Sequence, residues 1–265
     1  MSSTGKSMVY VTRSDMPHKG IELLKQHCDL KLWDQPSPVP RAEFLKSVVG
    51  ANGIFCSLTD KIDKELLDTA GPGLKVVATI SVGYDHIDVQ ECRKRGIKIG
   101  YTPDVLTDAT AELTLALLLS TSRRLPEAQH EARTGGWVSW APTWMTGPGL
   151  ASSTVGIVGF GRIGQAVARR VKSFNTNRIL YYNRSERPEA KETGAMKNKT
   201  IRAAGLDVTS PEPLPLDSPL FKLENCVVLP HIGSASIEAR NTMSELTANN
   251  ILAALNGHKM PAELK

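Results

Sequence analysis

Residues 154–158 read Thr-Val-Gly-Ile-Val, a short apolar run that stops at Gly159-Phe160-Gly161-Arg162-Ile163-Gly164 and continues into a helix-compatible stretch over 165–172. A strand that ends in a glycine-rich turn and feeds a helix is compatible with few folds. Gly159 permits the tight turn, Gly161 lets backbone N–H groups approach an anion at the positive helix end, and Gly164 lets helix and strand pack closely. A second strand over 178–182 follows, and it ends about 20 residues past the last glycine, where a dinucleotide's ribose is read. The pattern therefore predicts a Rossmann-type α/β domain in which Gly159, Gly161, Arg162, Ile163 and Gly164 cradle a pyrophosphate.

The end of that second strand discriminates between cofactors. An acidic residue there would grip a ribose 2′-hydroxyl, but this chain carries Asn183-Arg184-Ser185-Glu186-Arg187. Two guanidiniums and a hydroxyl suit a 2′-phosphate, so Arg184, Ser185 and Arg187 predict NADPH, with NADH bound more weakly. On the blander reading the two arginines are solvated loop charges.

The remaining composition excludes several classes. With 265 residues, 41% hydrophobic and 22% charged, the chain can bury one large core or two smaller ones. The longest apolar stretch, 113–119, is far short of a membrane span and lies in an amphipathic pattern ending at Arg123-Arg124. The opening Met-Ser-Ser-Thr-Gly-Lys has neither a signal peptide's apolar core nor a transit peptide's arginine pattern, which predicts a cytoplasmic protein. Cys28, Cys56, Cys92 and Cys226 are scattered without metal-ligand spacing, so neither a disulfide framework nor a metal site is expected. A formal charge of +5 suits anionic small molecules and is too slight and dispersed for nucleic acid.

Ahead of the fingerprint, strands over 8–12, 29–33, 53–57, 75–79 and 97–100 alternate with helical patterns over 18–27, 41–49, 63–68 and 89–94, as in an open parallel α/β domain. A long helix over 109–123 follows. The stretch from there to the fingerprint reads as a loop and holds Gly135-Gly136, Trp137, Trp140 and Trp144, three of the chain's four tryptophans. They either fill a core or cover a partner. Strands over 203–208 and 226–229 and a helix from about 236 to 255 close the chain. The final helix is expected to return to the first domain. That gives a domain over 1–105 completed by 237–265, a dinucleotide-binding domain over 106–236, and a cleft between them.

His231 is the strongest acid/base candidate of the six histidines, because it follows a strand in a Pro-His-Ile-Gly-Ser turn and ligands of open α/β folds bind at the carboxyl ends of strands. Glu212, held between Pro211 and Pro213, is a carboxylate that can orient the imidazole and favour its protonated form. Residues 81–86, Ser-Val-Gly-Tyr-Asp-His, follow another strand, and their backbone N–H groups form a candidate carboxylate nest. The same residues also read as a plain strand-to-helix turn capped by Asp85.

Taken in chain order, Val82-Gly83-Tyr84-Asp85-His86, the fingerprint, Gly205-Leu206-Asp207-Val208 with Pro211-Glu212-Pro213, and Pro230-His231-Ile232-Gly233 resemble the D-isomer-specific 2-hydroxyacid dehydrogenases over nearly the whole chain. Residues 101–108, Gly135-Gly136-Trp137 and Asn183-Arg184 are similar to the branch that reduces glyoxylate and hydroxypyruvate. The resemblance implies hydride transfer to a 2-keto carbon while His231, paired with Glu212, protonates the forming alkoxide. It implies that Val82 and Gly83 amides hold the substrate carboxylate. Asp207, Gly233 and Ser234 then line the nicotinamide and substrate. It further implies a homodimer in which Trp140 reaches the neighbouring subunit's substrate site.

The chain departs from that pattern in one interior place. The family's arginine, in an Asn-x-x-Arg-Gly turn, has no match here, the only Arg-Gly pair being Arg95-Gly96. Only 14 residues, 188–201, stand between Arg187 and Arg202 where two βαβ units of about 30 residues each are expected. In the strand order 3-2-1-4-5-6 this removes an edge strand and the strand beside the fingerprint strand. The expectation is a reductase whose nucleotide-binding sheet lacks central strands. The alternatives are a catalytically impaired truncated or splice form of such an enzyme, and a nicotinamide-sensing corepressor like the C-terminal-binding proteins.

Overall fold

The structure is a computed structural model that describes residues 5–183 and 203–265. It divides into two compact units, residues 1–106 with 236–265, and residues 107–235. The first unit begins with β1 (Met8–Val11), α1 (His18–His27), β2 (Asp29–Leu32), α2 (Arg41–Ser47), β3 (Gly53–Cys56), α3 (Lys64–Ala70), β4 (Val76–Thr79), α4 (Val89–Lys94) and β5 (Lys98–Gly100). The second contains α5 (Thr107–Ser122), α6 (Leu125–Thr134), β6 (Thr154–Val158), α7 (Arg162–Lys172), β7 (Arg178–Tyr182), β8 (Ala204–Leu206) and β9 (Cys226–Val228). The chain then returns to the first unit as α8 (Ile237–Leu255).

The first unit is an all-parallel five-stranded sheet in the order β2-β1-β3-β4-β5. Parallel strands need helical crossovers, which cover both faces, and the inner strands of such a sheet are buried along their whole length. Every residue of β3 and β4 is buried. One face packs Ile54 and Val77 against Phe44, Val48, Leu66 and Leu67, each such side chain contributing about 1.5–3 kcal/mol. The other face receives α1 and α8, which cross so closely that a Cβ on Gly20 would lie 2.2 Å from the Ser244 carbonyl oxygen.

The second unit is built differently. Among the described residues it holds two separate parallel ribbons, β6 with β7 and β8 with β9. No pairing joins β6 to β8 among those residues, so the strands left after the interior shortening have not closed up. Helix α5 spans both ribbons, packing on α7 of the first and on β8 and β9 of the second. One buried cluster of this unit joins Ala111, Ala166, Val167 and Val171, with Leu115, Leu118, Val155 and Ile157 half-buried around them. Arg170 of α7 reaches Asp108 at 2.9 Å and Glu112 at 3.3 Å on α5, tying the helices at their exposed rim.

Two expectations need correction. Residues 125–134, read as loop, form α6; Pro126 occupies its first turn and Gly135, at φ +85°, ends it, both favoured positions for those residues. The strand expected over 203–208 shortens to Ala204–Leu206, because Asp207 turns to receive hydrogen bonds from the 231–233 turn. Among the described residues no helix is long and apolar enough to cross a membrane.

Asp63 caps α3 by accepting from the Leu66 N–H at 3.1 Å and pairs with Arg41 and Lys61. Burial alone would push its carboxyl up, but hydrogen bonds from Arg41, Leu66 and Lys61 hold it down at about 2. Asp63→Ala should destabilise the first unit by roughly 1–2 kcal/mol in urea unfolding at neutral pH. Because the folded value lies below the unfolded value of about 3.9, the difference between parent and variant should be complete above that value. It should vanish as pH falls through about 2, and a difference that persists there would contradict the assignment.

Candidate active site

The fingerprint segment folds as its glycines require. Gly159 adopts φ +89°, and its N–H donates to the Tyr182 carbonyl at 2.8 Å, which anchors the turn to the end of β7. A Cβ on Gly164 would stand 2.2 Å from the Gly159 carbonyl oxygen, so only glycine lets α7 start this close to β6. Gly161 is the cap of α7, no side chain occupies that cap, and a Cβ there would meet open space. Backbone N–H groups at the start of α7 are therefore not covered by a capping side chain, which fits an anion such as a dinucleotide pyrophosphate. Ile163 is half-buried against α5 and β6 in the cluster around Val167, and Arg162 lies exposed in the first turn of α7. Arg184, Ser185 and Arg187 lie outside the described residues.

At the carboxyl end of the other ribbon, His231 Nδ1 lies 2.9 Å from Glu212 Oε2. His231 adopts φ +53°, an uncommon conformation for a residue with a side chain and one that clusters at functional sites. It is held there by its own N–H, which donates to the Asp207 carbonyl at 2.9 Å. The Asp207 carboxylate then accepts from the N–H groups of Ile232 and Gly233, both at 2.8 Å. Glu212 is fixed in turn by the Thr209 N–H at 3.1 Å. The hydrogen bond from His231, and after it the Thr209 N–H, hold the Glu212 carboxyl below the usual carboxylate range. With Nδ1 engaged, Nε2 is the ring atom through which the imidazole can exchange a proton with a ligand. Gly233 is buried against Asp207 and Thr110, and Ser234 follows half-buried.

Val82 and Gly83 belong to the first unit, in the turn after β4. Both are exposed, and the nearest atom to a Cβ on Gly83 would be Leu58 Cδ2 at 3.9 Å, so the backbone there is open to a ligand. The helix that follows is capped by Asp88, whose side chain accepts from the Glu91 N–H, and not by Asp85. Three side chains to which the sequence assigns no bracing role hold this turn. Ser81 Oγ donates to the Gly83 carbonyl at 2.6 Å and lies 2.7 Å from Thr79 Oγ1, which His86 Nε2 approaches at 3.1 Å. Burial holds the His86 ring below the usual histidine range. Trp140 is 82% exposed, as are Trp137 and Val138 in large part, so the aromatic loop does not fill the core of its own unit. Arg95, of the only Arg-Gly pair, is spent on Glu91 and Asp68, each at 2.6 Å, at the end of α4.

A glycine cradle opening a helix and a carboxylate-oriented histidine, each at the carboxyl end of a parallel strand, define a nicotinamide-dependent α/β oxidoreductase. The profile of the D-isomer specific 2-hydroxyacid dehydrogenase catalytic domain matches residues 9–265. The glyoxylate reductase/hydroxypyruvate reductase of Mus musculus is 47% identical over 97% of this chain and 97% of its own length. The crystal structure of the TT0316 protein from Thermus thermophilus superposes with a TM-score of 0.88 at 37% identity, covering 97% of this chain and 100% of that one. That of an NADPH-dependent glyoxylate/hydroxypyruvate reductase from Sinorhizobium meliloti, in complex with NADP and malonate, gives 0.80 at 26% identity, covering 98% and 97%. The chain belongs to the D-isomer specific 2-hydroxyacid dehydrogenase family. The alignment with the mouse enzyme spans 320 positions against 265 residues here, so at least 55 positions of that relative have no counterpart in this chain.

Gly164→Ala should weaken NADPH binding at least about tenfold, a loss of about 1.4 kcal/mol or more, because the methyl group meets backbone that cannot step aside. Fluorescence titration of bound NADPH measures it. An unchanged dissociation constant would show that this turn does not hold the nucleotide.

Proposed function

We propose that the chain carries the machinery for NADPH-dependent reduction of glyoxylate and hydroxypyruvate to glycolate and D-glycerate. The observation that carries this reading is the 2.9 Å His231–Glu212 pair, set on a backbone turn clamped by Asp207. When bound, the nicotinamide supplies the hydride. His231 holds the proton at Nε2 that an alkoxide would take, and Glu212 keeps the ring from rotating. Val82 and Gly83 N–H groups receive the substrate carboxylate, with Ser234 contributed by the His231 turn. Arg184, Ser185 and Arg187 receive the 2′-phosphate, which is the basis for preferring NADPH to NADH. Residues 1–105 with 237–265 form the substrate domain and 106–236 the dinucleotide domain. The exposed Trp137 and Trp140 support a homodimer.

A second reading is favoured by two observations: this is a catalytically weak form of that enzyme. No Asn-x-x-Arg-Gly turn is present to polarise a keto acid, and loss of one such positioned donor costs on the order of 10²–10³ in turnover. Independently, β6 and β8, which carry the nucleotide turn and the Asp207 clamp, share no ladder among the described residues.

Steady-state oxidation of NADPH with hydroxypyruvate on the purified chain should run at least about a hundredfold slower than with the mouse relative. A rate within about tenfold would overturn the second reading. On whatever rate remains, His231→Ala should abolish turnover while leaving the NADPH dissociation constant within about twofold. Retained turnover would remove His231 from the mechanism. Arg184→Asp should invert the preference between NADPH and NADH, and tighter NADH binding by the parent chain would refute the cofactor assignment.

A further inference from the structure

Within the first unit, helix α8 runs antiparallel to β4. Thr247 Oγ1 stands 3.5 Å from the Thr79 carbonyl oxygen at the end of that strand. Ile251, one turn further along, lies 3.2 Å from where a Cβ on Gly53 would fall, and Gly53 is the partner of Val76 at the strand's start. Beyond β4 the chain keeps its place beside its neighbours: the Ile80 N–H donates to the Cys56 carbonyl, and the Ser81 carbonyl accepts from the Thr102 N–H. Seven residues of helix rise about 10.5 Å, the length of about three residues of strand. Arg240, seven residues before Thr247, is therefore level with Val82. Seven residues also complete two turns to within about 20°. Arg240 thus shares the face of Met243, Ser244, Thr247 and Ile251, all buried, whereas Glu238 and Glu245 of the same helix are exposed.

A cation on the buried face of a helix calls for a partner, because its desolvation is otherwise uncompensated. Arg240 is half-buried, yet its side chain makes no ion pair and no hydrogen bond with any described residue. Burial holds its guanidinium below the usual arginine value, with no carboxylate acting against that. At the same level of the unit, the N–H groups of Val82 and Gly83 donate to no described residue either. Free donors thus stand together at the carboxyl edge of the sheet with no acceptor supplied by the described chain. We propose that Arg240 is the cationic arm of an anion site at this edge: its guanidinium binds the carboxylate of a small 2-keto or 2-hydroxy acid that the Val82 and Gly83 N–H groups hold. This rests on the reading of that turn as the receptor of the substrate carboxylate.

The surroundings define the ligand further. A long side chain on a helix leans toward the helix N-terminus, which carries the Arg240 guanidinium away from the sheet and out over its carboxyl edge. Its planar fork matches the two oxygens of a carboxylate. Leu58 Cδ2, 3.9 Å from where a Cβ on Gly83 would fall, presents an apolar surface beside the turn. That surface suits the carbon chain of a monocarboxylate and not the further anionic oxygens of a phosphate. Arg240 would bind the acid without acting on its keto group. Substrate affinity in this chain therefore does not depend on an Asn-x-x-Arg-Gly arginine, whereas polarisation of the carbonyl does.

The test titrates the full isotope-labelled chain with glycolate and with glycolamide, which differ only in the charge of the acid group. Glycolate should shift the Val82 and Gly83 amide signals together with the Arg240 Nε–Hε signal, and glycolamide should shift none of them. Arg240→Met should weaken glycolate binding at least about tenfold. Arg240→Lys, which keeps the charge but not the fork, should fall between that variant and the parent. Without ligand, Arg240→Met should melt at the parent's temperature or above it, because it removes an unpaired cation from a buried face. A lowered midpoint would show a structural arginine and overturn the proposal. Unchanged glycolate affinity in Arg240→Met, with the Val82 and Gly83 shifts intact, would overturn it while leaving that turn as the carboxylate receptor. A shift at Arg240 alone, or no shift at all, would overturn both. Tighter binding of inorganic phosphate than of glycolate would also contradict the proposal, since the ligand would then not be a carboxylic acid.

Discussion

The His231 turn of the second unit hangs on one carboxylate. Asp207 takes N–H groups from Ile232 and Gly233 and offers its own carbonyl to the His231 N–H, three hydrogen bonds that fix a turn 24 to 26 residues further along the chain. Hydrogen bonds to a charged acceptor are worth about 1.5–3 kcal/mol each, enough to hold His231 in a left-handed conformation that costs roughly 1–3 kcal/mol. With the turn fixed, Glu212 needs only the Thr209 N–H and the imidazole to complete the pair. None of these contacts calls on β6, β7 or α7. The hydrogen bonds that set the His231–Glu212 pair therefore lie within the β8–β9 ribbon and its loops, with Thr110 of α5 packed against Gly233.

The nucleotide turn is just as self-contained. Gly159, Gly161 and Gly164 are shaped by the fit of α7 on β6 and by the Tyr182 carbonyl, all within the β6–β7 ribbon. Helix α5 is the element that touches both ribbons. A continuous sheet would set the distance from nucleotide turn to histidine by a ladder of backbone hydrogen bonds; among the described residues no ladder joins the two ribbons, and α5 packs on both. The chemistry is legible and the scaffold holds each part, but the part that aligns them is reduced.

Much of this is readable from residues. The glycine spacing specifies the turn and its helix, and the continuous apolar runs of the first hundred residues specify a parallel sheet buried on both faces. His231 and Glu212 stand out because each sits in a proline-flanked turn beside a strand. What escapes does so for physical reasons. Pro126 and Gly135 look like loop punctuation, yet at the first turn and the cap they start and stop a helix. Asp207 reads as a residue lining a ligand; its partners lie too far along the chain for any local pattern to show a clamp. Thr79, Ser81 and His86 act as a brace only because the sheet brings β4 and the following turn together.

The central claim is that the glycine turn and the His231 turn rest on two ribbons without a common ladder among the described residues. Native-state hydrogen exchange in rising, sub-denaturing urea tests it directly, because amides that open as one cooperative unit converge on one opening free energy. The account predicts two isotherms, with Val155 and Ile157 of β6 on one and Gly205 and Val227 of the β8–β9 ribbon on another. A single isotherm shared by all four amides would contradict it.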